Sequence, residues 1–177
     1  MQQAQNVLWI HCASLGEFEQ GRPLIEAIKA SSNKEILLTF YSPSGYEIRK
    51  DYPHADYVYY LPLDTQQNAE RMIDLVRPQQ VIFVKYEIWY HFIHTLQQRG
   101  IPTFLVSALF REKQFYFKWY GKSFITILQN FTQIFVQDEA SKQVLLNNGI
   151  TNAIVAGDTR IDTVSYTHLT LPTICSV

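Results

Sequence analysis

Two acidic side chains stand where a sequence of this kind would place chemistry. Glu17 closes the run His11-Cys-Ala-Ser-Leu-Gly-Glu17, and Glu87 lies within Val84-Lys-Tyr-Glu-Ile-Trp89. Each follows a short apolar run and precedes residues that favour helix, so each carboxylate is delivered at the C-terminal end of a strand, where ligands sit in open α/β sheets. A carboxylate at a helix N-terminus is kept ionised by the helix dipole and can accept a proton from a substrate hydroxyl. The same spacing also serves structure. Ser14-x-x-Glu17 fits the capping box, in which the acid reaches back to the N-H of the cap, and Glu87 fits a first-turn residue that favours the dipole. For both acids the catalytic and structural readings stay open from pattern alone. Lys85 reads as a partner charge for them.

Two further segments have the composition of binding sites. Ala156-Gly-Asp-Thr-Arg-Ile-Asp162 leaves a short strand through Gly157 and sets backbone N-H groups and Arg160 at the sheet edge, as an anion seat or a plain turn. Residues 110–124 carry Phe110, Phe115, Tyr116, Phe117, Trp119, Tyr120 and Phe124 among Arg111, Lys113, Lys118 and Lys122, with Glu112 the only acid. Aromatic and basic residues so mixed suit a lipid headgroup interface, or else cover the sheet with lysines in water. Single-stranded nucleic acid is a weaker fit. The dinucleotide and P-loop glycine patterns and an Asp-x-Asp pair are missing, and His91 and His94 share a helix face without further ligands, so a solvated pair is favoured over a metal site.

These residues need a scaffold, and the apolar pattern supplies one. Residues 6–12, 35–41, 57–61, 80–84, 103–107, 133–136 and 153–156 read as strands, and 18–31, 45–50, 65–76, 89–99, 115–128 and 139–148 as helices. Val81-Ile-Phe-Val84 and Ile134-Phe-Val136 are continuously apolar, as strands covered on both faces must be. The alternation predicts a Rossmann-like, doubly wound, mostly parallel α/β sheet in the order 3-2-1-4-5, with strands one and four flanking the switch point. Glu17 and Glu87 are then expected to face one crevice.

Composition sets the outer limits. In 177 residues, 47% are apolar and 18% charged, enough for one packed domain. Fifteen basic against sixteen acidic residues give a net charge of -1, so no overall field draws the chain to nucleic acid. Cys12 and Cys175 are too few for a disulfide framework or a zinc motif, and no apolar run reaches the roughly 18 residues that would span a bilayer. A reducing, cytoplasmic setting is the simplest expectation.

Together, residues 11–17, 84–89, Phe135-Val-Gln-Asp138 and 156–162 resemble the 3-deoxy-D-manno-octulosonic acid (Kdo) transferases, which attach Kdo to lipid A precursors; the resemblance covers roughly residues 6–164 and four motifs in family order. It implies the N-terminal, acceptor-side half of an inverting GT-B glycosyltransferase, with Glu17 the general base and Glu87 a second essential carboxylate. CMP-Kdo would be the donor, held by a C-terminal domain absent from this chain, and no metal or cofactor would take part. Ser14, Gly16, Arg111, Lys118, Gly157 and Arg160 are the candidate substrate-binding positions. The acceptor would be a lipid A precursor at the cytoplasmic face of the bacterial inner membrane. The sequence departs from the family at Tyr90, where many members have Pro, and at Leu109, where Arg is usual. Residues 1–164 are expected to form the domain and 165–177, which match neither helical period nor turn chemistry, a non-native tail. The rivals are a non-catalytic Rossmann-like module that binds an anionic lipid or a partner protein, and a GT-B enzyme for another nucleotide sugar.

Overall fold

The structure is a computed structural model and describes residues 6–118 and 121–157. The expected tail, the boundary at 164 and Arg160 lie outside the described residues. Seven strands, β1 (Val7–His11), β2 (Glu35–Phe40), β3 (Tyr57–Tyr60), β4 (Gln80–Val84), β5 (Thr103–Ala108), β6 (Gln133–Val136) and β7 (Ala153–Val155), form one sheet in the order β3-β2-β1-β4-β5-β6-β7. Every pairing is parallel. The expected order holds and continues outward through β6 and β7. All residues of β1, β4 and β5 are buried, which is why these strands read as unbroken apolar runs.

Alternation along the strands divides the core in two. Leu8, Ile10, Cys12, Ile82 and Val84 pack with Phe18, Leu24, Ile25 and Ile28 of α1 (Leu15–Ser31), on the face that α2 (Pro43–Arg49) also joins. Val7, Trp9, Val81 and Phe83 pack on the other face against Ile73 of α3 (Gln66–Val76), Phe92, Ile93 and Leu96 of α4 (Tyr90–Gln98), Ile127 and Leu128 of α5 (Lys122–Gln129), and Val144 and Leu145 of α6 (Glu139–Asn147). The chain therefore changes faces between the helices that follow β1 and β4.

Close approach on the first face depends on two glycines. A side chain at Gly21 of α1 would lie 3.1 Å from Val84 and 3.3 Å from Cys12, and one at Gly45 of α2 would lie 2.3 Å from the Phe40 ring. Without side chains at these positions, α1 and α2 can sit close on β1, β2 and β4.

One expected element is corrected. Residues 115–128 do not form a continuous helix: a 3-10 turn at Phe115–Phe117 is followed by α5, which starts at Lys122. Gly121 is the cause. A Cβ there would sit 2.4 Å from the carbonyl oxygens of Phe115 and Tyr116, so the chain folds back against the turn instead of continuing it. Helix α1 begins at Leu15, three residues before its apolar period, because Ser14 takes the extended N-cap conformation (φ -138°).

Gly45→Ala is expected to lower unfolding stability by about 1–3 kcal/mol through overpacking against Phe40. Gly16→Ala should be neutral or stabilising by up to about 1 kcal/mol, since the nearest atom to a side chain there is 3.8 Å away. Denaturant midpoints of the two variants check this; equal midpoints would show that Phe40 gives way freely.

Candidate active site

The site forms where β1 and β4 end side by side, with His11 paired opposite Phe83. Helix α1 leaves β1 on one face and the connection to α4 leaves β4 toward the other, so the two chains part at the strand ends, where open α/β sheets bind ligands. Glu17 comes from the first turn of α1. Its Oε2 accepts from the backbone N-H of Ser14 at 2.7 Å and from the Ser14 hydroxyl at 2.6 Å. The acid thus makes its half of the capping box, and the same contacts fix where its charge sits.

Glu87 comes from the connection after β4 and is largely buried, with 13% of its side chain exposed. Its Oε2 accepts from Trp89 Nε1 and lies 3.4 Å from His11 Nε2. Trp89 is itself held edge-to-face between His11 and Tyr41, with ring centroids 5.2 Å and 5.1 Å away. Burial pushes the Cys12 thiol well above its ordinary range, and the charges of Glu17 and then Glu87 push it further. The two acids, seventy positions apart in sequence, therefore bear on one residue at the end of β1.

The supporting backbone explains why Glu87 can be placed so. Trp89 is the N-cap of α4 and has no side-chain oxygen to cap with. Asp64, from the segment between β3 and α3, supplies the missing acceptor: its Oδ1 takes the N-H groups of His91 at 3.1 Å and Phe92 at 3.2 Å. Lys85 adopts a left-handed conformation (φ 73°) and donates its N-H to Val106 O, which turns the chain out of β4. Its ammonium lies 5.7 Å from the Tyr86 ring, and among the described residues no ion pair joins it to either acid, so the expected partner charge is corrected.

The other candidate residues divide into groups. Ser14 and Gly16 lie with Glu17 at the start of α1. Arg111 and Lys113 are exposed and line a hollow of about 520 Å³ with Asp138 and Gln143, beyond the ends of β5 and β6. Lys118 is exposed just after the 3-10 turn. Gly157 takes φ 78° after β7, three strands away from β4, so the structure does not bring it to the two acids. A separate groove of about 510 Å³, lined by Tyr57, Tyr59, Tyr60, Met72, Leu75 and Val76, runs between β3 and α3 and holds none of the candidate residues.

Sequence reading missed three contributors. His11 was masked by its place in an apolar strand. Asp64 acts across 27 positions on a helix it does not adjoin in sequence. Tyr116 reaches the site from the aromatic-basic segment: burial raises its phenol above the ordinary tyrosine range, and the charge of Glu87 adds to the rise, followed by Tyr86. That segment thus comes near Glu87, a placement its period could not convey.

Two measurements check this geometry. Asp64→Ala should cost about 0.5–2 kcal/mol of stability through loss of the α4 cap, read by thermal unfolding, and no loss would mean the cap is idle. In a Cys175→Ser background, Cys12 should resist alkylation at neutral pH and react only as the chain unfolds, because its raised pKa keeps the thiol neutral until pH climbs well above the usual thiol range. Rapid labelling of the native chain would remove the buried, acid-flanked thiol.

A family model described as 3-Deoxy-D-manno-octulosonic-acid transferase (kdotransferase) matches residues 1–163. Among curated relatives, a 3-deoxy-D-manno-octulosonic acid transferase of Rickettsia typhi is 30% identical over 159 residues, 88% of this chain and 34% of the relative. The enzyme of the same name from Haemophilus influenzae is 32% identical over 103 residues, 57% of this chain and 24% of the relative. The chain thus spans about a quarter to a third of these relatives. Of solved structures, UDP-GlcNAc 2-epimerase from Neisseria meningitidis bound to UDP-GlcNAc gives a TM-score of 0.65 at 16% identity, over 96% of this chain and 51% of that one. UDP-GlcNAc 2-epimerase from Methanocaldococcus jannaschii gives 0.63 at 17% identity, over 89% and 47%. At that identity the likeness speaks for the fold alone, the Rossmann-like half of the GT-B architecture. With residues 11–17 and 84–89 at the strand ends of a doubly wound sheet and the family match running over residues 1–163, the chain belongs to the Kdo transferases as their N-terminal domain.

Proposed function

We propose that this domain is the acceptor side of an inverting glycosyltransferase that moves Kdo from CMP-Kdo to a lipid A precursor. The observation that carries the reading is that Glu87 faces His11 at the end of β1 while Glu17 is held on Ser14, three residues further on, at the switch point of the sheet. Glu17 sits on the first turn of α1, where the Ser14 N-H and hydroxyl hold its Oε2. As general base it takes the proton of the acceptor sugar's hydroxyl. The oxygen so freed bonds to the anomeric carbon of Kdo, the bond from that carbon to the phosphate oxygen of CMP breaks, and CMP leaves with the electron pair. The configuration inverts because attack and departure are on opposite sides. Stabilisation of the leaving phosphate is assigned to a second, donor-binding domain, and no metal or cofactor is invoked.

Glu87 is the second cleft carboxylate and orients the acceptor through its free oxygen. The acceptor's lipid is assigned to the segment that carries Tyr116 to the crevice. There Phe115 is 46% exposed, and Arg111, Lys113 and Lys118 stand in solvent, a pairing of apolar and cationic groups that suits the headgroup layer. Ser14, Gly16, Gly157 and Arg160 remain proposed substrate contacts. The reaction is placed at the cytoplasmic face of the inner membrane; among the described residues no helix is long and apolar enough to cross a membrane, so contact by this domain would be peripheral. The acceptor-side domain by itself is expected to be inactive, because donor binding is assigned to a second domain.

The decisive variant is Glu17→Gln in a full-length transferase carrying this domain. Gln can still accept from Ser14 but cannot take a proton, so kcat should fall by roughly 10²–10⁴ while the unfolding midpoint stays in place. Retained transfer of Kdo would leave Glu17 a cap and nothing more.

A further inference from the structure

Behind Glu87 lies a buried polar chain to which the reaction as proposed gives no role. His11 is fully buried at the end of β1. Its Nδ1 is 2.9 Å from Thr39 Oγ1 on the neighbouring strand, and that oxygen also accepts from Trp9 Nε1 at 2.8 Å. The other ring nitrogen, Nε2, is buried without a hydrogen-bond partner among the described residues and faces Glu87 Oε2 at 3.4 Å.

We infer that His11 carries its proton on Nε2 and is a positioning residue that holds the Glu87 carboxylate ready for the acceptor. The inference rests on the reading of Glu87 as a cleft carboxylate. Two tautomers are available, and proton counting separates them. With the proton on Nδ1, the ring would donate to Thr39, the Thr39 hydroxyl would be left with Ile10 O at 3.5 Å, and the bare lone pair of Nε2 would face an ionised carboxylate in a water-poor site. That is acceptor against acceptor. With the proton on Nε2, every group has its complement: Trp9 donates to Thr39, Thr39 donates to His11 Nδ1, and His11 Nε2-H points to Glu87. The separation of 3.4 Å is longer than an ordinary N-H···O bond by roughly 0.5 Å, a distance that a small swing of the carboxylate closes when it turns to substrate.

The consequence for chemistry lies in which oxygen is held. Trp89 Nε1 donates to Oε2 and His11 Nε2 faces the same oxygen, an arrangement that leaves Oε1 for the acceptor. An acceptor hydroxyl meets an acid whose orientation was set in advance by a rigid sheet residue. The titratable groups surrounding the ring are Glu87 from the β4–α4 connection, Tyr41 edge-to-face with Trp89, and Cys12 and Glu17 across the strand end.

The test uses nitrogen NMR of this chain and kinetics of a full-length enzyme carrying the domain. In the chain at neutral pH, His11 should show a protonated Nε2 and a bare Nδ1, and Glu87→Gln, which can offer its amide N-H instead, should shift the ring toward the opposite tautomer. A proton on Nδ1 in the unaltered chain, or ring signals indifferent to Glu87→Gln, overturns the inference with no reference to catalysis. In the full-length enzyme, His11→Phe should lower kcat about tenfold or more with KM changed less than about threefold, and His11→Gln, whose amide restores a donor near Nε2, should recover part of the loss. Full activity of His11→Phe beside a dead Glu87→Gln also overturns the inference, whereas full activity of Glu87→Gln sinks the assignment of Glu87 itself. Should His11→Phe fail to fold, the tautomer of the unaltered ring still decides.

Discussion

The parallel pairing of β1 with β4 is the constraint on which the rest depends. Its register sets Leu8 against Gln80 and His11 against Phe83, so the two strands finish together. Because successive side chains point to opposite faces, His11 enters the layer of α4 while Cys12 enters the layer of α1. The two acids then approach the same strand end from opposite sides of the sheet. A slip of one residue would exchange these faces, bury the imidazole against α1 and leave Glu87 facing a thiol. Register here is a chemical specification as well as a packing one.

The interior at this edge is polar in a controlled way. Trp9, His11 and Thr39 are each fully buried and joined through one hydroxyl, a short network of the kind that is strong when complete and costly when one member is missing. Around it the rings of Phe83, Phe92 and Trp89 pack edge-to-face and keep water away from the imidazole. The sheet thus presents a rigid, dry back wall, while the acids and the aromatic segment form a front that substrate can reach.

Much of this was legible in the sequence because the signals were local. Unbroken apolar runs announced buried parallel strands, and the strand order brought Glu17 and Glu87 to one crevice. Ser14-x-x-Glu17 announced a capping box, with the acid on the cap's N-H. What stayed hidden depends on contacts between distant residues. Asp64 caps a helix that begins 26 positions later. The break at Gly121 was hidden because residues 115–128 have helical composition throughout, and only the backbone packing against Phe115 and Tyr116 forbids the helix. His11 looked like one more interior residue until Thr39 and Glu87 appeared on either side of its ring. Gly157 read as part of the same rim, which it is, but three strands along it.

Lys85 shows where the domain gives up stability for shape. A lysine in the left-handed region is strained by about 1–2 kcal/mol relative to the right-handed one, and Ser107, on the neighbouring strand, is left-handed as well (φ 54°). Both kinks occur where β4 and β5 end, and the first turns the chain that delivers Tyr86 and Glu87. A more comfortable backbone at these two places would run on straight and carry the acid past the crevice. The thermal resilience of this fold and the aim of its second carboxylate are therefore drawn from one reserve, and improvement in either comes at the other's expense.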